Sequence, residues 1–120
     1  MKKSFIFIFT MCVLLLTACN GVLPAGVSQE MYDTAVYVIK TTDSYLDGEI
    51  SAEEAYERID NIAIPETNDS DEHRYDSIVD SCILCVKIDL LGLSMSSNKR
   101  ITIADLKSSR NDLAKEINYR

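Results

Sequence analysis

Cys82 and Cys85, separated by two residues in Cys-Ile-Leu-Cys, are a first place where this sequence could carry chemistry. Two thiols at this spacing can form a reversible disulfide when a helix start or a nearby positive charge lowers the pKa of one of them. The single histidine, His73, lies nine residues before Cys82, so a zinc site would need an acid as a further ligand. Apolar neighbours surround the pair, and we therefore interpret both as buried core cysteines. A thiol redox or metal function through them is the alternative.

A second candidate is the twelve-residue segment from Asp43 to Glu54, which resembles the calcium loop of EF-hand proteins. The resemblance implies a calcium site built from oxygen ligands. It also implies a glycine that lets the chain turn, so that the final glutamate can bind through both oxygens. The residues that match ligand or turn positions of the loop are Asp43, Asp47, Gly48, Glu49, Ser51 and Glu54.

The calcium interpretation has a structural competitor. Tyr45 stands at the third loop position, where the family has a carboxylate or amide oxygen. Asp47-Gly48 is typical of a turn. Ser51 with Glu54 matches a capping box, in which each of the two side chains bonds the other's backbone amide at a helix start. We therefore expect no resident cofactor and keep calcium binding as the alternative.

The N-terminal segment has the organisation of a bacterial export signal. Lys2 and Lys3 precede an apolar run that ends in small residues. A membrane-spanning helix is the competing interpretation, but the uncharged stretch from Ser4 to Cys19 has 16 residues, whereas about 20 are needed to cross the hydrocarbon core. Residues 1–18 are therefore predicted to be a cleaved signal peptide.

The end of this signal, Leu16-Thr17-Ala18-Cys19, resembles the lipobox of bacterial lipoproteins. In that family the cysteine thiol receives a diacylglyceryl group, and a dedicated peptidase cuts the chain before it. The resemblance implies a protein anchored through Cys19, on the outer side of a membrane at the cell surface or in the periplasm. Two acyl chains on one residue are enough for stable anchoring. Two glycines and a proline follow the cysteine, so residues 19–27 are predicted to be a flexible tether.

Composition restricts the partners. The chain has 19 acidic residues against 12 Lys and Arg, with a net charge of −7. Loss of the signal segment removes Lys2 and Lys3 but no acid, which makes the charge −9. A surface this acidic is repelled by nucleic acid, so nucleic acid is excluded as a partner. About 100 residues predict a single domain with one core, assigned to residues 28–120.

Apolar residues recur in this domain at helical spacing. Residues 86–90 alternate as a strand would, but a longer helical stripe surrounds them and favours a helix. Gly92 is the expected end of the third helix, and Thr102 the expected cap of the fourth. Short connections predict antiparallel neighbours, and therefore an all-α, up-and-down bundle of about four helices. The predicted helices are residues 28–46, 51–64, 75–92 and 102–117.

The spacing also predicts which side chains point inward. For the third helix these are Tyr75, Ile78, Val79, Cys82, Ile83, Val86, Leu90 and Leu93. For the fourth helix they are Ile103, Leu106, Leu113 and Ile117.

Catalytic motifs are missing from the sequence. It has no glycine-rich phosphate loop and no serine in a nucleophile elbow. One histidine leaves few general bases. We therefore expect a non-enzymatic, lipid-anchored helical module that binds a protein partner or serves as an accessory of the cell envelope.

Overall fold

The computed structural model describes residues 23–67, 70–95 and 100–120. Within these ranges the chain forms four α-helices, one short 3-10 helix and no strand, which confirms the predicted all-α bundle. The predicted signal peptide, residues 1–18, and Cys19 lie outside the described residues. The elements are α1 (Gln29–Leu46), α2 (Ala52–Asp60), the 3-10 helix (Asp71–His73), α3 (Asp76–Ser94) and α4 (Ile103–Glu116).

Local capping sets two of the helix starts. Thr102 Oγ1 accepts a hydrogen bond from the Asp105 amide at 3.3 Å, and the Asp105 carboxylate accepts one from the Thr102 amide at 2.7 Å. These bonds complete a capping box, and the hydrogen bond from the Thr102 amide is the main cause that lowers the pKa of Asp105. Ser51 likewise accepts from the Glu54 amide at 3.1 Å. The predicted return bond from Glu54 is replaced by an ion pair with Arg58, one turn further along the helix.

The four helices alternate in direction. α1 and α3 each pack against all three other helices, and α2 and α4 lie on opposite sides of this pair. The starts of α1 and α3 meet, whereas Asp89 late in α3 accepts a hydrogen bond from Ser109 in α4. Asp112 and Glu116, later in α4, lie near Cys82, earlier in α3, so α4 runs in the opposite direction to α3. None of the described helices has both the length and the apolar character needed to cross a membrane.

A single hydrophobic core lies between the helices, and Met31, Ile83 and Leu113 are among its fully buried side chains. Gly92 is also buried, but α3 continues past it to Ser94, so the prediction that α3 ends at Gly92 is wrong. Its role is instead steric, because a Cβ at this position would overlap the side chain of Ile101.

Three side chains predicted to point inward are exposed. Tyr75, Ile78 and Ile103 are 38%, 44% and 50% exposed, respectively. Ile78 lies about 100° around α3 from the fully buried Val79, which takes it outside the narrow inward stripe. Tyr75 precedes α3, and Ile103 is the first residue of α4. Both therefore lie at helix ends, where neighbouring helices cover less of each side chain.

The chain before α1 is part of the fold. Val27 is 4% exposed and belongs to the core. Gly26 adopts a φ of 86°, and its carbonyl accepts a hydrogen bond from the Tyr75 amide at 2.9 Å. A Cβ at Gly26 would overlap the Tyr75 ring, so this close approach needs glycine. The folded domain therefore includes Gly26 and Val27, although both fall within the predicted tether of residues 19–27.

The junction between the starts of α1 and α3 is built around Asp76, which is 2% exposed. Its carboxylate accepts a hydrogen bond from the Ser28 amide at 2.8 Å, while Ser28 Oγ accepts one from the Met31 amide at 3.2 Å. Asp76 lies in the first turn of α3 and beside the N-cap of α1. Its negative charge therefore faces the positive ends of two helix dipoles.

We predict that Asp76→Ala lowers the free energy of unfolding by about 1–3 kcal/mol, because the Ser28 amide loses its partner. Asp76→Asn keeps an acceptor oxygen and should lose less. Urea denaturation followed by circular dichroism measures both variants. Equal stability of Asp76→Ala and the wild type would show that the junction does not hold the two helices together.

Candidate functional site

The EF-hand-like segment begins inside α1 rather than in a loop, since Asp43 is helical. The guanidinium of Arg110 in α4 donates two hydrogen bonds to this carboxylate, with Nε–Oδ1 and Nη2–Oδ2 distances of 2.9 Å each. Hydrogen bonding to Asp43 is also the main cause that raises the pKa of Arg110. Asp43 therefore joins α1 to α4.

The remaining candidate ligands of the segment have structural positions too. Asp47 is exposed and ends α1, and Gly48 adopts a φ of 79° in the following turn, next to the exposed Glu49. Ser51 caps α2, and Glu54 pairs with Arg58 as described above. Across the described ranges, no group of three or more His, Cys, Asp and Glu side chains is placed to hold a metal ion.

We predict no saturable calcium binding in the micromolar range. The Asp43 carboxylate is occupied by Arg110, and Tyr45 removes a further oxygen ligand. Isothermal titration of the purified protein with calcium chloride tests this. A saturable heat that disappears in Glu54→Gln would overturn the prediction.

The two cysteines of α3 differ in environment. Cys85 is exposed and Cys82 is partly buried, so the interpretation of both as core cysteines is wrong for Cys85. The physical reason is the helical phase, because Cys85 lies about 100° around α3 from the fully buried Val86. Burial raises the pKa of Cys82, and the nearby acidic groups and Cys85 add to the effect. Both cysteines lie well inside the helix, away from the positive helix start that would activate a thiol.

We predict that a maleimide labels Cys85 rapidly in the folded protein and Cys82 slowly. Because the raised pKa leaves Cys82 with less thiolate, its labelling rate should rise at a higher pH than that of a free thiol. Mass spectrometry of the tryptic peptide 75–87 from Cys82→Ala and Cys85→Ala variants separates the two rates. Equal rates in the native state would contradict this account of their burial.

His73 lies beside a cleft of about 470 Å³ at the junction of α1 and α3. Its Nδ1 atom is buried and has no hydrogen-bond partner within the described parts of the chain. Ser28 and Asp76 in this lining already bond one another, and Glu30 and Glu66 are exposed. The cleft is therefore an opening beside the helix junction, where Ser28 and Asp76 hold the two helices together. Its lining residues are Ser28, Gln29, Glu30, Pro65, Glu66, His73 and Asp76.

An uncharged surface runs along the side of α3 that faces away from the core. This helix is described over its whole length, and none of its most exposed side chains carries a charge. Three of them are large and apolar, since Ile78, Leu84 and Ile88 are 44%, 53% and 50% exposed. We refer to this surface as the α3 face. Its residues are Ser77, Ile78, Ser81, Leu84, Cys85 and Ile88.

The α3 face differs from the outer sides of the other helices. α1 exposes Glu30 and Asp33, α2 exposes Glu53 and Glu57, and α4 exposes Lys107, together with further charges on each helix. α3 is thus apolar on both sides, a pattern typical of a helix that is covered on both sides. An exposed apolar strip on a small acidic domain is the kind of surface that marks a binding site.

The inward stripe predicted for α3 did not indicate this surface, because it describes only one side of the helix. Between Cys82 and Leu93 the sequence has two charged residues, Lys87 and Asp89. In the structure both are partly buried at the flanks of α3, where Lys87 pairs with Asp60 and Asp89 with Ser109. The sequence pattern that indicates this surface is therefore a helix whose apolar residues fall on all sides rather than on one.

No family model, curated protein or solved structure matches this chain.

Proposed function

We propose that this protein is a bacterial lipoprotein, held on the outer side of a membrane through Cys19, whose helical domain binds another protein without catalysis. The anchor is supported by the sequence, in which a short export signal ends in Leu16-Thr17-Ala18-Cys19. Binding is supported by the α3 face. The observation that carries the binding role is an uncharged, apolar helix side exposed on an acidic domain.

A binding role also fits the positions of the polar side chains. Two acidic side chains, Asp43 of the EF-hand-like segment and Asp76 of the cleft, hold helices together through Arg110 and Ser28. In contrast, among the described residues the side chains of the α3 face make no polar contact to another helix, and Ser81 bonds only to the Ser77 carbonyl of the same helix. Their exposure costs solvation free energy, which a protein partner recovers by covering them.

Mass spectrometry of the membrane-bound protein from bacterial cells tests the anchor. We expect a chain that begins at Cys19 and is heavier than the polypeptide by at least a diacylglyceryl group. Cys19→Ala should leave an uncut precursor, since the thiol that accepts the lipid is gone. A native N-terminus at Met1 would overturn the anchor and make residues 5–16 a permanent membrane segment.

Site-specific photo-crosslinking in the same cells tests the binding role. A photoreactive amino acid at position 84, on the α3 face, should give adducts to protein. The matched control is position 57, which is also exposed but lies on the charged side of α2. Adducts from position 84 to lipid alone, or equal protein adducts from both positions, would contradict a protein-binding α3 face.

A further inference from the structure

We propose that the domain rests on the lipid surface through an apolar patch at its anchored end, formed by Leu23, Tyr75 and Ile78. The inference rests on the proposed function, because attachment to a membrane at Cys19 selects lipid as the partner of this patch. The three side chains are 39%, 38% and 44% exposed, respectively. We refer to them as the anchor-side patch.

The length of chain before the fold brings the patch to the membrane. Leu23 is four residues after Cys19, and four fully extended residues span about 14 Å. The next residue, Pro24, already belongs to the fold, because its carbonyl accepts a hydrogen bond from the Val27 amide at 3.3 Å. In any conformation of the chain between them, the backbone of the lipidated residue therefore lies within about 14 Å of Leu23.

The fold places Tyr75 and Ile78 beside this entry point. The Tyr75 amide donates a hydrogen bond to the Gly26 carbonyl at 2.9 Å, and the missing Cβ of Gly26 leaves room for the Tyr75 ring. Ile78 follows one turn later, and its amide donates to the Tyr75 carbonyl at 3.1 Å. The exposed side chains of the patch therefore belong to the end of the bundle at which the lipidated chain enters.

Tyr75 and its neighbour Arg74 have the chemistry of a membrane interface. The Arg74 guanidinium lies over the Tyr75 ring, 4.9 Å from its centroid, and both residues are exposed. A tyrosine ring suits the boundary between headgroups and acyl chains. An arginine can keep its charge among lipid phosphates while its stem contacts apolar groups. This pair and the two aliphatic side chains together fit both layers of a lipid surface.

Acidic residues limit how deeply this end can enter lipid. Asp71 and Glu72 are exposed shortly before Tyr75, and a carboxylate is costly to remove from water. The contact is therefore shallow, at the level of the headgroups, and is favoured by neutral rather than anionic lipid. It needs little affinity of its own, because the acyl chains supply the anchoring and keep the patch at a high effective concentration near the surface.

The rest of the α3 face stays available to a protein partner. Ile88 lies ten residues after Ile78 in the same helix, which is about 15 Å farther along its axis. A contact limited to the anchored end leaves Leu84 and Ile88 in water, where the proposed partner can cover them.

Tryptophan fluorescence of the lipidated protein in vesicles tests the proposal. The chain has no tryptophan, so Ile78→Trp supplies a single emitter. The variant is purified from bacterial membranes and reconstituted in phosphatidylcholine that is brominated near the top of its acyl chains. Its emission should fall strongly relative to vesicles of unbrominated phosphatidylcholine, because bromine quenches a tryptophan that it contacts.

Ile103→Trp is the matched control. Position 103 is 50% exposed, and it lies at the opposite end of the bundle, since the nearby Ile101 packs against Gly92 late in α3. A tryptophan at this position should keep its emission in brominated vesicles.

A charge in the patch supplies the second arm of the test. In the Ile78→Trp protein, Leu23→Asp should lower the quenching, because a carboxylate resists transfer into lipid. Met95→Asp, at a 50% exposed site just after α3, should leave the quenching unchanged. All the replaced side chains are exposed, so circular dichroism should show the variants folded.

The possible outcomes separate this inference from the proposed function. In a chain whose mass shows a lipidated Cys19, equal quenching at positions 78 and 103, no quenching at either, or quenching insensitive to Leu23→Asp overturns the lipid contact and leaves the anchor in place. Strong quenching at position 78 alone, in a chain that begins at Met1, supports the lipid contact and overturns the lipid anchor, since residues 5–16 would then hold the same end of the domain.

Discussion

The buried carboxylate of Asp76 is the constraint on which the rest of the bundle depends. It binds the Ser28 amide at 2.8 Å and so holds the first turns of α1 and α3 side by side. Parallel helix starts place two positive dipole ends close together, which is unfavourable without a compensating charge. One acid between them removes that conflict and fixes the two central helices in register. α2 and α4 can then pack on either side of a rigid pair.

Because α3 is central, its sequence must satisfy two surfaces at once. Val79, Ile83 and Val86 are fully buried and face the core. On the opposite side, Leu84 and Ile88 are about half exposed. A helix that only had to hold this bundle together would have polar residues there, as α2 does. Packing among the described helices therefore does not explain why the outer side of α3 is apolar.

Local features could be predicted from the sequence, and long-range ones could not. The caps at Ser51 and Thr102 depend on residues three positions away, so the amino-acid sequence alone predicted them. Asp43 and Arg110 are 67 positions apart, and their ion pair depends on how the helices pack. For the same reason, the apolar neighbours of Cys85 in the sequence predicted a core position, although the bundle leaves this residue exposed. Periodicity in the sequence predicts a helix, but it does not predict how much of the helix surface the neighbouring helices cover.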